Sequence, residues 1–305
     1  MLVVTTSGEK KFPHRRGGMT MVTINSNPAA AQTANALYRN DRIIDGIIER
    51  LSTGKRINSA ADDPAGLAIS TRLTSQVNGL NQAARNANNA ISMVQIADNS
   101  ADTITNIFQR MREIVVQAAD GSNSASDVAL LNTEFTTLAQ ETDRLVDTTS
   151  YNGRNIIDGN ADESGGSSVT YQVGSNAGVE QTLTIDFGDL NLTDAGLGGN
   201  FSSWKTAGLG NNLNTTLTDI DTAISAVATQ RATYGASLNR LEYAVDNLHS
   251  SSLVTSVARG RIEDTNYATE TARLAKQQIL EQVGTALLAQ ANMDAKSVLK
   301  LLSAN

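Results

Sequence analysis

The residues that could do chemistry are concentrated in one stretch, LSTGKRINSAADDPAGLAIS at positions 51–70. Its Gly-Lys pair at 54–55 could belong to a loop that cradles phosphates, and the Asp-Asp pair at 62–63 could supply acid/base carboxylates. A phosphate-binding loop also needs a glycine five residues before the Gly-Lys pair and Ser or Thr directly after the lysine. Those positions hold Glu49 and Arg56. The stretch therefore does not predict a nucleotide site.

The aspartates have a simpler structural role. Asp63 directly precedes Pro64, and proline is favoured at the first position of a helix. A carboxylate at that N-cap accepts hydrogen bonds from free backbone N–H groups and faces the positive end of the helix dipole. Gly54 is suited to end the preceding helix. We therefore interpret the stretch as a hinge between two helices, formed by Gly54, Arg56, Asn58, Asp62, Asp63 and Pro64.

Catalytic and metal-binding side chains are scarce in the rest of the 305-residue chain. It contains no cysteine, which excludes disulfides, thiol nucleophiles and thiolate metal ligands. The two histidines, His14 and His249, lack the His-Glu-x-x-His context of a metalloprotease helix. We therefore predict that the protein is not an enzyme and has no catalytic residue, no cofactor and no metal site.

The chain is acidic, and its charge is unevenly spread. Residues 1–18 hold four basic side chains against Glu9, whereas the remainder holds 20 basic and 30 acidic residues. An acidic body argues against nucleic acid as the main partner and favours solubility in a repeating assembly. No run approaches the roughly 18 apolar residues of a membrane span, so none is predicted.

The first residues, MLVVTTSGEKKFPHRRGG, do not follow the pattern of a folded element. They also lack the apolar centre of about 7–15 residues and the small-residue cleavage site of a secretory signal. We interpret residues 1–20 as an extension outside the fold, with the natural start at Met19 or Met21. The sequence leaves open whether the extension is a cloning remnant, an early start codon or a functional basic tail.

The predicted hinge joins two helices, and the sequence indicates long amphipathic helices along much of the chain. Apolar residues recur in alternating steps of three and four, which is the heptad pattern of a helix that packs along another helix. These seams run from Leu73 to Ala118, from Leu213 to Leu248 and, more weakly, from Val128 to Leu145. Arg231 is the one charge on the second seam, where we expect it to set the register or form a salt bridge. The predicted fold is mainly α, an elongated coiled-coil rod.

Between the helical seams the period of the pattern changes to two. SSVTYQV and TLTIDF each place three apolar residues on one face, which predicts a β-hairpin within about 150–190. Residues 191–210 are rich in Gly, Asn and Ser and contain the single tryptophan, Trp204. We predict that this segment is an exposed loop and that Trp204 is exposed with it.

The two ends of the chain form a separate predicted domain. Residues 21–58 and 262–305 are assigned to a terminal helical assembly domain, and residues 59–190 and 211–261 to the rod. We expect the terminal helices to be poorly ordered in the monomer, because burying their apolar side chains contributes less than ordering the backbone costs. The predicted assembly residues are Leu37, Ile44, Ile47, Leu51, Leu280, Val283, Leu287, Leu299 and Leu302.

Over residues 21–305 the chain resembles bacterial flagellin, the filament subunit of the flagellum. The resemblance rests on several motifs in order, which are the stretch at 51–70, FQRMREIVVQAAD, YNGRNIIDG, GASLNRLEYAVDNL and RIEDTNYATETARLAKQQILEQVGTALLAQAN. It implies that the terminal helices pair in the inner core of a tube and are unfolded in the exported monomer. It also implies that the heptad region forms the outer wall and that large outer domains are missing.

The resemblance further implies a function and partners. The function is a structural subunit that self-assembles into the extracellular flagellar filament for motility, exported without a cleaved signal peptide. The partners are further copies of the chain, the export apparatus and its chaperone, hook-associated and cap proteins, and a vertebrate innate receptor. The implied receptor contacts are Arg110, Met111, Glu113 and Glu134, and Leu138 stands where family members often carry Arg.

Two alternatives stay open at this stage. A flagellin-like surface protein would bind a polysaccharide or host ligand through 191–210 or the rod, and deletion of the loop would abolish saturable binding by the monomer. A hook–filament junction protein has similar ends but does not polymerise extensively.

Overall fold

The computed structural model of the chain describes residues 26–192, 203–206, 208–209 and 212–303, with the side chains of 295 and 298–303 left aside. The predicted extension at 1–20 and much of the predicted loop at 191–210 lie outside these residues. Within them the chain forms five α-helices, which are α1 Pro28–Thr53, α2 Pro64–Ala118, α3 Ala125–Thr148, α4 Leu213–Glu263 and α5 Tyr267–Ser303. The prediction of a mainly α fold is confirmed.

Four short strands lie between α3 and α4 and form two antiparallel pairs. The first pair is β1 Ser150–Tyr151 with β2 Arg154–Asn155, and the second is β3 Ser168–Gln172 with β4 Thr182–Asp186. In the second pair Val169 lies opposite Ile185 and Tyr171 lies opposite Leu183. The alternating pattern therefore predicted both the strands and their inward face.

The contacts divide the chain into two units, Met1–Asp62 with Asp264–Asn305 and Asp63–Glu263. The chain crosses between units after residues 62 and 263, whereas the sequence placed the crossings after residues 58 and 261. In the terminal unit α1 pairs with α5, as predicted. The central unit contains α2, α3, α4 and the strands.

α1 begins and ends at the predicted residues. Asn27 is the N-cap, with its Oδ1 accepting from the backbone N–H of Ala30 at 3.0 Å, and Pro28 is the first helical residue. Gly54 ends the helix in the left-handed conformation, with φ 73°. A Cβ at this position would also lie 3.0 Å from the hydroxyl of Tyr267. Glycine is therefore required at position 54 for its conformation and for the close approach of α5.

In the central unit α2 and α4 pack along each other through the predicted seams. α2 has 55 residues and is therefore about 80 Å long. The buried seam of α2 is rich in alanine and includes Val77, Leu80, Ala87, Val94, Ala101, Ile104, Phe108, Met111 and Val115, and that of α4 includes Ile220, Val227, Tyr234, Leu241 and Leu248. Arg231 donates from Nε to Asp98 Oδ1 at 3.0 Å and from Nη1 to Asp102 Oδ1 at 2.7 Å. The predicted salt bridge to a facing helix is confirmed.

Local capping explains the remaining elements. Ser124 and Asp127 form a reciprocal capping box that starts α3. Asn152 and Gly153 both have positive φ, 54° and 80°, as a two-residue type I′ turn between β1 and β2 requires. The Asn-Gly signal in YNGRNIIDG thus predicted this turn.

The prediction that Trp204 is exposed is wrong. Its side chain is 2% exposed and lies edge-on to the rings of Phe108 and Phe135, with ring centroids 6.3 and 5.5 Å away. The next residue, Lys205, pairs with Asp143 at 2.9 Å. The rings of Phe108 and Phe135 provide an apolar site for the indole. The free energy gained by burying this large ring favours burial, even though the composition of the surrounding segment is typical of a loop.

Candidate assembly surface

The predicted hinge contains a turn centred on the carboxylate of Asp62. Its Oδ2 accepts hydrogen bonds from the Ser59 backbone N–H at 2.9 Å, the Ser59 hydroxyl at 3.0 Å and the Asn58 backbone N–H at 3.2 Å. These donors, led by the Ser59 N–H, lower the pKa of Asp62, and the charge of Arg50 lowers it further. The group is therefore an ionised structural anchor rather than a general acid.

Asp63 starts the central unit as the N-cap of α2. The backbone N–H of Gly66 donates to Asp63 Oδ1 at 2.9 Å, and Pro64 is the first residue of the helix. The two adjacent aspartates therefore each bind their own local backbone N–H groups. Among the described residues no cluster of His, Asp and Glu suits a metal ion.

The predicted assembly residues divide into two groups with different environments. Those on α1 face its partner helix, since Ile47 is buried and Leu37, Ile44 and Leu51 are half-buried. Those on α5 are more exposed, since Leu280, Val283 and Leu287 are 47%, 48% and 57% exposed. The side chains of Leu299 and Leu302 lie outside the described residues.

The terminal unit carries more exposed apolar surface than the sequence analysis identified. Tyr38, Ile43 and Ile48 on α1 and Ile279 and Met293 on α5 are all between 48% and 69% exposed. A groove of about 420 Å³ opens beside Leu280, Val283 and Leu287 and is floored by Leu37 and Gly284. Exposed apolar side chains beside such a groove are typical of protein–protein contact sites. The sequence could have indicated this surface, because it consists of the apolar residues of α1 and α5 that lie outside the predicted contact between the two helices.

The implied receptor contacts are only partly on the surface. Arg110 forms salt bridges with Glu113 at 3.0 Å and Glu134 at 2.8 Å, and all three side chains are substantially exposed. The hydrogen bonds that Arg110 donates to these carboxylates, the one to Glu134 first, raise the pKa of Arg110. Met111 is 0% exposed and belongs to the core of the central unit. A buried side chain cannot contact a receptor, so Met111 is removed from the implied contacts. Leu138 is half-buried against the same core.

The comparisons with known proteins agree with this arrangement. The model of the bacterial flagellin N-terminal helical region matches residues 24–162, and that of the bacterial flagellin C-terminal helical region matches residues 217–302. A flagellin of Halalkalibacterium halodurans is 38% identical over 84% of this chain and 90% of its own length. A flagellin of Bacillus subtilis is 34% identical over 92% of this chain and 99% of its own length.

Solved structures add information on the fold. A putative flagellar hook-associated protein from Vibrio parahaemolyticus is similar at a TM-score of 0.55 with 17% identity, covering 67% of this chain and all of that one. This likeness concerns the fold alone.

The chain belongs to the bacterial flagellin family. It is a structural subunit of the extracellular flagellar filament and not an enzyme, and it polymerises with copies of itself. The surface-binding and junction-protein alternatives are not favoured by these relatives. None of the helices in the described part of the chain is long and apolar enough to cross a membrane.

Proposed function

We propose that the terminal unit holds neighbouring subunits together in the filament and becomes fully ordered only when they are present. The supporting observation is the exposed apolar row of Leu280, Val283 and Leu287 on α5. Each side chain leaves about half its surface in water, and a neighbouring copy would recover about 25 cal/mol for every Å² it covers. A pair of helices with so little buried apolar surface is marginal alone, so polymerisation supplies part of the folding free energy.

The unassembled ends are also the proposed contact for the other partners. The export apparatus and a chaperone would act on α1 and α5 before they pair, and the subunit would leave the cell through the flagellar channel without a cleaved signal peptide. Hook-associated and cap proteins would meet the same apolar row at the two ends of the filament. A vertebrate innate receptor is proposed to contact Arg110, Glu113 and Glu134, whose exposed charges suit polar recognition.

Hydrogen exchange followed by mass spectrometry tests the coupling of folding to assembly. In dilute monomer we expect residues 28–53 and 267–303 to exchange within seconds, and residues 64–118 and 213–263 to be protected. In filaments all four segments should be protected. Strong protection of 267–303 in the dilute monomer would overturn the proposal.

A matched pair of variants tests the surface. Val283→Ser removes an apolar group that is 48% exposed from the α5 row, whereas Val116→Ser removes one that is 51% exposed from α2. We expect the critical concentration for polymerisation to rise about tenfold or more for the first variant, with electron microscopy showing shorter filaments. If both variants polymerise like the parent chain, the row on α5 does not hold subunits together.

A further inference from the structure

Three hydrogen bonds to main-chain carbonyls tie α1 to the α5 segment. The backbone N–H of Thr265 donates to Gly54 O at 2.9 Å, next to the junction of the two helices. The side-chain amide of Asn40 donates to Gln277 O at 3.0 Å, and that of Asn27 donates to Ala291 O at 2.9 Å. The ties follow one another at intervals of 12 to 14 residues, or about 20 Å of helix. They therefore hold the start, the middle and the far end of the pair.

Asn27 uses both ends of its carboxamide. Its oxygen accepts from the Ala30 N–H to cap α1, so its nitrogen must be the atom that faces Ala291 O. Serine or aspartate would cap the helix equally well but has no side-chain N–H to donate. The helix start alone therefore does not explain why this position carries asparagine.

Asn40 is unusual because it is a polar side chain in the helix contact, only 8% exposed. Its neighbours on α1 along the same contact are apolar, and among the described residues of α1 and α5 Ile47 is the one apolar side chain that is fully buried. The other buried side chain is Glu270, whose Oε1 lies 4.0 Å from Arg50 across the pair. Polar side chains thus occupy buried positions at which leucine would give a more stable helix pair.

Apolar packing alone specifies the register of this pair weakly. The main steric feature is a notch at Gly284, where an added Cβ would lie 2.8 Å from Leu37 Cδ2. Alanine-rich surfaces such as TALLAQAN offer similar small-residue positions a turn away. A buried amide, in contrast, loses its hydrogen bond when its acceptor moves, and an unsatisfied buried polar group is costly.

We propose that Asn27 and Asn40 set the register of the α1–α5 pair by donating to the main-chain carbonyls of Ala291 and Gln277. The inference rests on the proposed role of this unit in assembly. The register matters because the groove proposed to receive a neighbouring subunit is lined from both helices, by Leu37 on α1 and by Leu280 and Val283 on α5. A slip of one helical turn displaces the two halves of that groove by about 5.4 Å. The polar contacts specify the pairing within a subunit, and the apolar side chains remain available for contacts between subunits.

Disulfide trapping in filaments tests the register, because the native chain contains no cysteine. Leu37→Cys with Gly284→Cys reports the observed register, since Leu37 Cγ lies 3.3 Å from the built Cβ at position 284. Leu37→Cys with Leu280→Cys or with Leu288→Cys reports a slip of one turn in either direction. Filaments are oxidised and dissolved, and the intramolecular links are identified by mass spectrometry in the monomer band.

The test variant is Asn27→Ser with Asn40→Leu, which keeps the cap and fills the contact with an apolar side chain. The matched control is Asn35→Leu, at an exposed position of the same helix. In the parent and the control we expect the 37–284 link to exceed the slipped links at least tenfold, and in the test variant we expect this ratio to fall to about one. If the test variant does not polymerise alone, it is mixed with parent subunits to make up about a tenth of the filament. Its disulfide links are then measured in these mixed filaments.

An unchanged ratio in the test variant would overturn the proposal, as would an absent 37–284 link in the parent. Strong protection of the terminal helices from hydrogen exchange in dilute monomer would instead overturn the coupling of folding to assembly. It would leave the register measurement intact, since the links are read in the filament.

Discussion

Replacing Trp204 by alanine tests whether the residues before α4 are part of the folded core. The indole is 2% exposed and meets the rings of Phe108 and Phe135, which belong to α2 and α3. Trp204 therefore connects a segment after the strands to two helices of the central unit. Its removal leaves a cavity bordered by two aromatic rings, and the surrounding helices are too constrained to close it completely.

The expected cost follows from this burial. Truncation of a buried Trp to Ala costs about 3–5 kcal/mol, and that range already includes the loss of the edge-on ring contacts. The central unit spans Asp63–Glu263, a size at which 1 kcal/mol shifts the melting temperature by about 2–4 °C. We therefore expect Trp204→Ala to lower the melting temperature of this unit by about 6–20 °C.

Circular dichroism at 222 nm on dilute monomer measures this change, because the central unit supplies most of the cooperative helical signal there. Tyr243→Ala, at a position 77% exposed on α4, is the control and should shift the melting temperature by no more than about 2 °C. Trp204→Phe should recover part of the loss. A decrease of less than about 3 °C for Trp204→Ala would show that the segment is not docked on the helices.

Three further predictions concern the hinge and α4. Asp63→Ala should destabilise the central unit by about 0.5–2 kcal/mol in urea unfolding and weaken filaments, whereas Asp63→Asn should retain the cap. Gly235→Ala should stabilise the same unit by about 0.5–1 kcal/mol, because an added Cβ meets nothing within 4 Å in this exposed helix interior. The pKa of Asp62 is lower in the folded chain than its ordinary 3.8, so its stabilisation of the 58–62 turn is present above that pH and lost as the pH falls through the folded value. NMR titration should find this lowered pKa in the parent chain and a smaller lowering in Ser59→Ala, which removes the hydroxyl donor and keeps the backbone N–H donors. An unchanged pKa in this variant would contradict the role of the hydroxyl.

Periodicity and capping were readable from the sequence because both depend on residues close together in the chain. The heptad steps of α2 and α4 identify the buried face without reference to a partner, and Asp63-Pro64 identifies a helix start within two residues. The Asn-Gly pair at 152–153 determines its turn for the same reason. These local rules predicted the element types and most of their ends.

The errors arose where the environment is set by residues distant in sequence. Trp204 lies in a segment of loop composition, and only the meeting of α2 and α3 creates the aromatic site that receives it. Met111 was assigned to a contact surface by resemblance, whereas its own position on the Leu73–Ala118 seam already predicted burial. The hydrogen bonds of Asn27 and Asn40 join residues more than 230 positions apart, so no local pattern indicates them.

The two units differ in where they place apolar and polar side chains, and this difference follows from their tasks. The central unit buries long apolar seams and keeps ion pairs such as Arg112–Asp221 exposed, so we expect it to fold as a monomer. The terminal unit buries an asparagine and a glutamate between its helices and leaves isoleucine, leucine and valine in water. Such a distribution is unfavourable for an isolated helix pair, because the polar contacts contribute little net free energy and the apolar groups contribute none until covered. It becomes favourable when copies stack side by side, since polar contacts then specify which helices pair within a subunit and apolar contacts supply the free energy between subunits. Under the proposed coupling of folding to assembly, this division delays stable pairing of the terminal helices until neighbouring subunits are present.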